Sequence, residues 1–365
     1  MEEIQSRAGL CLRVYATGAH LSPEFGASVD AFASDGLTVD ERIESLFSSD
    51  SPAGIAKSMA AGTNGFAQSF SRTRPDILVV LGDRFDVHAS VVAALPFKIP
   101  VAHIHGGEVT EGAFDEALRH AITKMSHLHF VSTEASAERV RQMGEEDWRV
   151  TLSGAPGLDR ILKGPPVARR EVAGRFGLDP SRPTLLVTFH PVTLFYEKTK
   201  HHIESLLQAL EQVGHQVLFT YPNADTAGRA IIERINVFCE AHVDARVVID
   251  AGQDWYIRLL EYVDAMVGNS SSGIIESGSF ALPVVNIGIR QRGRIRGPNV
   301  VDCDHCAVAI TAAIEEVLDP SFRQGFAGMV NPYGDGEASS RIVDVLKEVA
   351  LDERLLLKRF IDLGA

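Results

Sequence analysis

The sequence predicts an α/β protein built from two doubly wound domains, and three observations carry that expectation. Short apolar runs, the mark of parallel strands covered on both faces, alternate with helix-period stretches. The alternation occurs twice, on either side of a loop rich in glycine and proline at 154–166. Ionisable side chains gather immediately after the apolar runs, at the strand ends where open α/β sheets place ligands.

In the first half, Asp-Ile-Leu-Val-Val-Leu at 76–81 is the clearest buried strand, and 99–102 is a weaker run that overlaps a strand expected at 101–104. Further strands are expected at 10–17 and 129–132, with helices at 53–70, 87–97, 114–125 and 136–143. The second series places strands at 184–189, 216–220, 246–249, 265–267 and 284–287, and helices at 203–213, 226–241, 255–262 and 272–280. Such alternation implies a parallel sheet in each half. The boundary is expected near 163–169, giving an amino-terminal domain at 1–165 and a carboxy-terminal domain at 166–338. Beyond 304 the chain reads as helical, and 339–365 is expected to pack back on the first domain. Two such domains facing a cleft suit a nucleotide-linked substrate, with one gripping the nucleotide and the other doing the chemistry.

At 365 residues the chain exceeds one ordinary core. A hydrophobic content of 45% with 23% charged residues is globular, and a net charge of −13 argues against a nucleic-acid surface. The first residues lack a signal-peptide core, and no apolar run reaches the roughly eighteen residues of a membrane span. The expectation is a soluble, cytoplasmic protein with no membrane partner. Cys303 and Cys306 frame a Cys-Asp-His-Cys sequence, but no second ligand pair stands at zinc spacing. These thiols and the other two cysteines, Cys11 and Cys239, read as structural.

Residues 82–120 hold Gly82-Asp83-Arg84, then His103, His105-Gly106-Gly107-Glu108, then Asp115, Glu116, Arg119 and His120. Acids and imidazoles at strand ends inside a buried core are the material of acid–base chemistry. In the second half, Gly268-Asn269-Ser270-Ser271-Ser272-Gly273 follows a strand and opens a helix. Small residues there let backbone N–H groups approach a phosphate. The plainer alternative is a helix capped by Ser272. Glu276, one turn on, suits a ribose diol. Arg290, Arg292, Arg294 and Arg296 alternate along a glycine-punctuated loop, either as a solvated basic loop or as charge compensation for a diphosphate. His190 follows a strand and reads equally as structural or as a ligand.

These residues carry a family resemblance. The stretch from His20 to Gly26, Gly82-Asp83-Arg84, residues 103–130, Gly154–Asp159, Gly268–Gly273 with Glu276, and Gly293–Val300 resemble the hydrolysing UDP-N-acetylglucosamine 2-epimerases. The resemblance spans nearly the whole chain and implies a glycosyltransferase-B-like pair of Rossmann domains. It implies release of UDP from UDP-N-acetylglucosamine through a 2-acetamidoglucal, giving free N-acetylmannosamine, the sugar of sialic acid synthesis. A similar branch acts on UDP-diacetylbacillosamine, toward legionaminic acid. By resemblance, Asp83, Glu108 and Asp115 are the acid/base candidates, and His105, Arg119 and His120 orient sugar or phosphate. His190, Ser270, Ser271, Ser272, Gly273, Glu276, Arg290, Arg292 and Arg294 hold UDP. The resemblance implies no cofactor and no metal, and it suggests a homodimer or homotetramer.

One departure matters. Members of the family begin with a strand and a Gly-Thr-Arg-Ala-Asp-type turn that supplies an arginine, whereas this chain starts within the helix that follows. Either the start is placed too late or this is a shortened variant with impaired activity; the former is the expectation, since the other site residues are intact, and an upstream extension that failed to raise UDP release would count against it. Rival readings are a metal-dependent phosphoesterase built on Gly82-Asp83-Arg84, His103, His105 and Glu108, a glycosyltransferase, and a nucleotide-sugar sensor that binds without turnover. The non-hydrolysing epimerases rank lower, because their strand-end motif differs from His-Gly-Gly-Glu at 105–108.

Overall fold

The computed structural model describes residues 1–22, 29, 32, 36–47, 51–161, 167–223 and 225–362. The part of the His20–Gly26 motif beyond Ser22, and 163–166 of the expected boundary, lie outside the described residues. The chain divides into two compact units. The first comprises Met1–Glu108, Phe114–Leu162 and Tyr333–Ala365, and the second comprises Val109–Ala113 and Lys163–Pro332.

The first unit holds β1 (Tyr15–Thr17), β2 (Glu41–Ile43), β3 (Leu78–Leu81), β4 (Val101–Ile104), β5 (Leu128–Val131) and β6 (Val150–Leu152). Strands β3 to β6 form a parallel four-stranded sheet in sequential order, and β1 pairs with β2 in a parallel two-stranded sheet. The strand expected at 10–17 shrinks to its last three residues. Its partner is equally short, and the Val14 N–H is taken by the Asp40 carboxylate at 2.7 Å instead of a ladder carbonyl. Helix Pro52–Arg72 starts where Ser51 accepts the Gly54 N–H (3.1 Å) and Pro52 supplies the fixed φ of a first turn. Its Phe66 and Phe70 pack with Leu78, Val80 and Val101 on one face of the sheet. The other face of β3, expected to be covered, leaves Val79 and Leu81 exposed, because β3 is the edge strand of this sheet. On the other face, Ala102, Ile104, Leu128 and Phe130 meet Ile342, Leu346 and Leu355 from the end of the chain. The helix expected across that end is instead Ala338–Glu348 followed by a separate turn at Glu353–Leu356.

That terminal segment is tied down by polar groups. The Arg149 guanidinium, 1% exposed, donates to the carbonyls of His127 (3.1 Å), Leu355 (2.9 Å), Arg354 (2.8 Å) and Leu357 (3.1 Å) and pairs with Glu146 at 2.7 Å. Buried Glu145 accepts from Lys124 (2.7 Å) and Lys358 (2.9 Å) and meets His129 Nε2 at 3.1 Å.

The second unit holds β7 (Thr184–Thr188), β8 (Gln216–Thr220), β9 (Ala245–Val248), β10 (Ala265–Gly268), β11 (Val284–Ile287) and β12 (Val300–Cys303). All are parallel, in the order β12-β11-β10-β7-β8-β9. Alternate residues serve two cores. Leu185, Val187, Val217 and Val267 face Ile203, Leu206, Ile231 and Ile314. Leu186, Leu218 and Met266 face Val172, Phe176, Leu259 and Leu260. The sheet is thus covered on both faces, the arrangement the continuous apolar runs predict. Chain direction across the sheet reverses between β7 and β10, the switch point where ligands bind in such folds. No helix among the described residues is long and apolar enough to cross a membrane.

Strands β2, β6 and β12 escape the sequence reading because they are short and partly exposed, so no continuous apolar run marks them. The helix expected at 272–280 breaks into an α-helical turn, Ser272–Ile275, and a 3-10 turn, Ser277–Phe280. Ser277 Oγ donates to the Gly273 carbonyl at 2.7 Å, a local bond that competes with the helical ladder. The residue flanking that turn is Ser271, not Ser272, and it makes no side-chain cap.

Candidate active site

In the first unit, the ends of β3 and β4 deliver the charged residues. The Gly82 N–H bonds the Ile104 carbonyl (3.0 Å) and the His105 N–H bonds the Phe130 carbonyl (3.0 Å), so the turns that follow the two strands are stitched to neighbours. His103 is fully buried, with Nε2 on the Gly82 carbonyl at 2.8 Å and Nδ1 on Thr123 Oγ1 at 3.1 Å. Both ring nitrogens are therefore occupied, Nε2 by the Gly82-Asp83 turn and Nδ1 by the helix that carries Thr123, an assignment at odds with a metal-ligand role. Burial lowers its pKa to about 3, and that of His127, also flanked by Lys358 and Arg149, to about 4.

The unfolded chain protonates these imidazoles below about pH 6.5, whereas the fold resists until pH 3–4. The stability they contribute is thus complete above the unfolded value and lost as pH falls toward the folded one. The thermal midpoint is expected to fall steadily between pH 7 and pH 4; a midpoint flat over that range would contradict the assignment.

His105 adopts φ 67°, a left-handed conformation uncommon outside glycine, and such strain concentrates at functional sites. Gly107 follows at φ 72°, where a Cβ would lie 2.4 Å from the Ser136 carbonyl, so only glycine fits. This turn folds His105 Nδ1 back onto Glu108 Oε1 at 2.5 Å, while Ser132 Oγ donates to the same oxygen at 2.6 Å. Glu108 is buried.

Helix Asp115–Met125 supplies Arg119, 2% exposed, whose guanidinium donates to the Asp83 carboxylate and stands 3.7 Å from Glu116. Burial works against its charge, but Asp83, Glu108 and Glu116 outweigh burial and raise its pKa. Arg119 thus couples Asp83 and Glu108 electrostatically. His120 Nε2 pairs with Glu116 at 3.1 Å, and Asp115 opens the same helix, half-buried, one turn before Arg119.

In the second unit, the loops after β7 and β10 meet at the switch point. Gly268 has φ 138°, and a Cβ there would fall 2.0 Å from the Thr188 carbonyl. That close approach lets buried Asn269 bracket His190, accepting its N–H at 2.7 Å and donating to its carbonyl at 2.9 Å. His190 Nδ1 accepts the Asn223 N–H at 3.2 Å, so its neutral tautomer carries the proton on Nε2. The Asn269 carbonyl accepts from Arg290 Nη1 (3.1 Å) and Gln291 Nε2 (2.9 Å).

Most of the arginine loop is anchored by hydrogen bonds. Arg296 donates to the carbonyls of Arg294 and Gln291 (both 3.2 Å) and pairs with Asp302 at 3.0 Å. Arg294 donates to Thr110 at 3.3 Å. Arg290 and Arg294 are half-buried, whereas Arg292 is exposed and engages Glu111 through its backbone carbonyl. Ser270 Oγ accepts the Ser272 N–H at 3.3 Å, and Ser272 Oγ donates to Glu276.

The structure thus gathers Asp83, His105, Glu108, Arg119 and His120 in one unit, and His190, Ser270, Ser272, Glu276, Arg290 and Arg294 in the other. Ser132, Gln291 and Tyr256, whose hydroxyl donates to Ser272 Oγ at 2.8 Å, belong to these networks and were not among the expected site residues. Glu116 and Asn269 stood inside the sequence motifs without an assigned role, and Glu116 is spaced to meet Arg119 and His120 on one helix face. The other three depend on contacts between separate elements that no local pattern encodes. Among the described residues, no three His, Cys, Asp or Glu side chains group as metal ligands. Cys303 and Cys306 are free thiols, and burial with the nearby Asp302 and Asp304 pushes the Cys303 thiol up to about 12.

A family model described as UDP-N-acetylglucosamine 2-epimerase matches residues 2–347. The chain is 36% identical over 359 residues to a Legionella pneumophila protein named UDP-N,N'-diacetylbacillosamine 2-epimerase (hydrolyzing), covering 98% of this chain and 93% of the relative. It is 36% identical over 364 residues to a Campylobacter jejuni GDP/UDP-N,N'-diacetylbacillosamine 2-epimerase (hydrolyzing), covering 99% and 94%. Among solved structures, the UDP-GlcNAc 2-epimerase from Neisseria meningitidis bound to UDP-GlcNAc superposes with a TM-score of 0.77 at 19% identity, covering 94% of each chain, which shows a shared fold.

Proposed function

Because the chain belongs to the hydrolysing branch of the UDP-N-acetylglucosamine 2-epimerase family, we propose that it releases UDP from a UDP-2-acetamido sugar and yields the free sugar inverted at carbon 2. The observation that carries this reading is the pair of oriented carboxylates in the first unit, Glu108 held by Ser132 and His105, and Asp83 held by Arg119. One removes the proton at carbon 2 while UDP leaves carbon 1, giving a 2-acetamidoglucal, and water then adds across the double bond from the opposite face. A carboxylate held in place by hydrogen bonds is a competent general base. We assign that role to Glu108, with Asp83 and Asp115 serving protonation and the water, and His105, Arg119 and His120 orienting the sugar.

In the second unit, the Nε2–H of His190, the hydroxyls of Ser270, Ser271 and Ser272, the backbone at Gly273, and Arg290 with Arg294 supply donors and positive charge for the diphosphate. Arg292, being exposed, contributes to the field around the nucleotide. Glu276 accepts from the ribose diol. Leaving-group stabilisation by these groups requires no metal.

The family resemblance puts UDP-N-acetylglucosamine first as substrate. The names of the two relatives at 36% identity favour UDP-diacetylbacillosamine, which adds a carbon-4 acetamido group and a carbon-6 methyl. In this reading the product feeds sialic or legionaminic acid synthesis in the cytoplasm. Incubating the protein with each UDP sugar in D₂O tests it. The true substrate is expected to release UDP and a free sugar carrying deuterium at carbon 2. UDP binding with no free sugar from either would sink the enzyme reading in favour of a sensor.

A further inference from the structure

Tyr256 lies in helix Gln253–Tyr262, which is anchored on both sides of it. Trp255 packs edge-on against Phe176, with ring centroids 6.1 Å apart and the Arg175 guanidinium 4.5 Å over its ring, while Ile257, Leu259 and Leu260 are buried. From this fixed position Tyr256 Oη donates to Ser272 Oγ at 2.8 Å, and Ser272 Oγ donates in turn to the Glu276 carboxylate. Thr188, at the end of β7, also hydrogen-bonds the Tyr256 hydroxyl, and Thr188 Oγ1 lies 2.5 Å from Thr220 Oγ1 at the end of β8. A line of hydroxyls therefore runs from the carboxyl ends of β8 and β7 across the switch point to one carboxylate.

Each serine hydroxyl has a single hydrogen and two lone pairs. With Tyr256 donating to Ser272, that lone hydrogen is committed to Glu276. We propose that Tyr256 is a positioning residue that, through Ser272, fixes the Glu276 carboxylate in the orientation that receives the two ribose hydroxyls of the bound nucleotide. The inference deepens the nucleotide-binding part of the proposed function and rests on it. Burial and the Glu276 charge hold the phenol well above its ordinary pKa, so it remains a neutral donor at any working pH.

Tyr256→Phe removes the hydroxyl and keeps the anchored ring. Calorimetry with UDP and with 2′,3′-dideoxy-UDP, on wild type, Y256F, E276Q and the double variant, tests the role. Y256F is expected to weaken UDP about fivefold, the worth of one hydrogen bond. It should leave dideoxy-UDP within about twofold, and the double variant should bind like E276Q alone. In steady state, the same change should raise KM with kcat kept. Equal weakening of both nucleotides, additive losses in the double variant, or unchanged UDP binding would each overturn the positioning role while leaving the nucleotide site in place. Wild-type protein that binds neither nucleotide would overturn the parent reading as well.

Discussion

Glu108→Gln is expected to slow UDP release by about two to four orders of magnitude with the fold retained, the range that a positioned general base contributes. Glutamine fits the same space, and its carbonyl can still accept from Ser132, now 2.6 Å from the carboxylate. It cannot take a proton. The His105 contact depends on which end of the amide faces Nδ1, so a small adjustment of that ring is the largest structural change to expect. Single-turnover UDP release separates chemistry from product departure, and a thermal melt confirms the fold. Deuterium incorporation at carbon 2 of the sugar should fall in parallel, since one proton transfer governs both. A loss smaller than about tenfold would move the base to Asp83 or Asp115.

Arg149→Met is expected to destabilise the first unit by about 3–5 kcal/mol, the cost of breaking a buried, fully paired ionic cluster. The methionine fills part of the volume, but the carbonyls of His127, Arg354, Leu355 and Leu357 lose their donor and Glu146 loses its partner. The terminal segment is then held by Leu355, Leu346 and Ile342 against the sheet and by Lys358 on Glu145. Limited proteolysis should therefore cut first near residues 350–361, and urea unfolding should shift to lower concentration. Cleavage no faster than in wild type, with a stability change within about 1 kcal/mol, would show that the clamp is redundant.

The two predictions differ in what made them visible. Glu108 was legible because His-Gly-Gly-Glu follows an apolar strand, and a glycine at a positive-φ turn is a local signal. The same holds for Gly268–Gly273, where the motif announces a strand-to-helix turn even though the helix expected beyond it breaks at Ser277. Arg149 was invisible. It sits in a charged stretch of unremarkable composition, and the three terminal carbonyls it binds lie 205–208 residues away in the sequence. Its burial is a property of the assembled unit. The short strands β2, β6 and β12 were missed for a related reason: a strand covered on one side needs only a few apolar residues, too few to form a run. The arginine loop shows an intermediate case. Its charge suggested a diphosphate partner, but only the packing separates half-buried Arg290 and Arg294 from exposed Arg292.

What the sequence determined by itself is the class of fold, two parallel α/β units, and the motifs at their strand ends. Both follow from short-range physics: strands sealed on both faces must be apolar throughout, and turns that bring backbone close to backbone must be glycine. Tertiary structure alone decided which distant groups meet, Arg119 with Asp83, Tyr256 with Ser272, Arg149 with the end of the chain. Those meetings depend on strand order and on the phase of each helix against its sheet, which are set when whole elements pack together and leave no trace in any short stretch of residues.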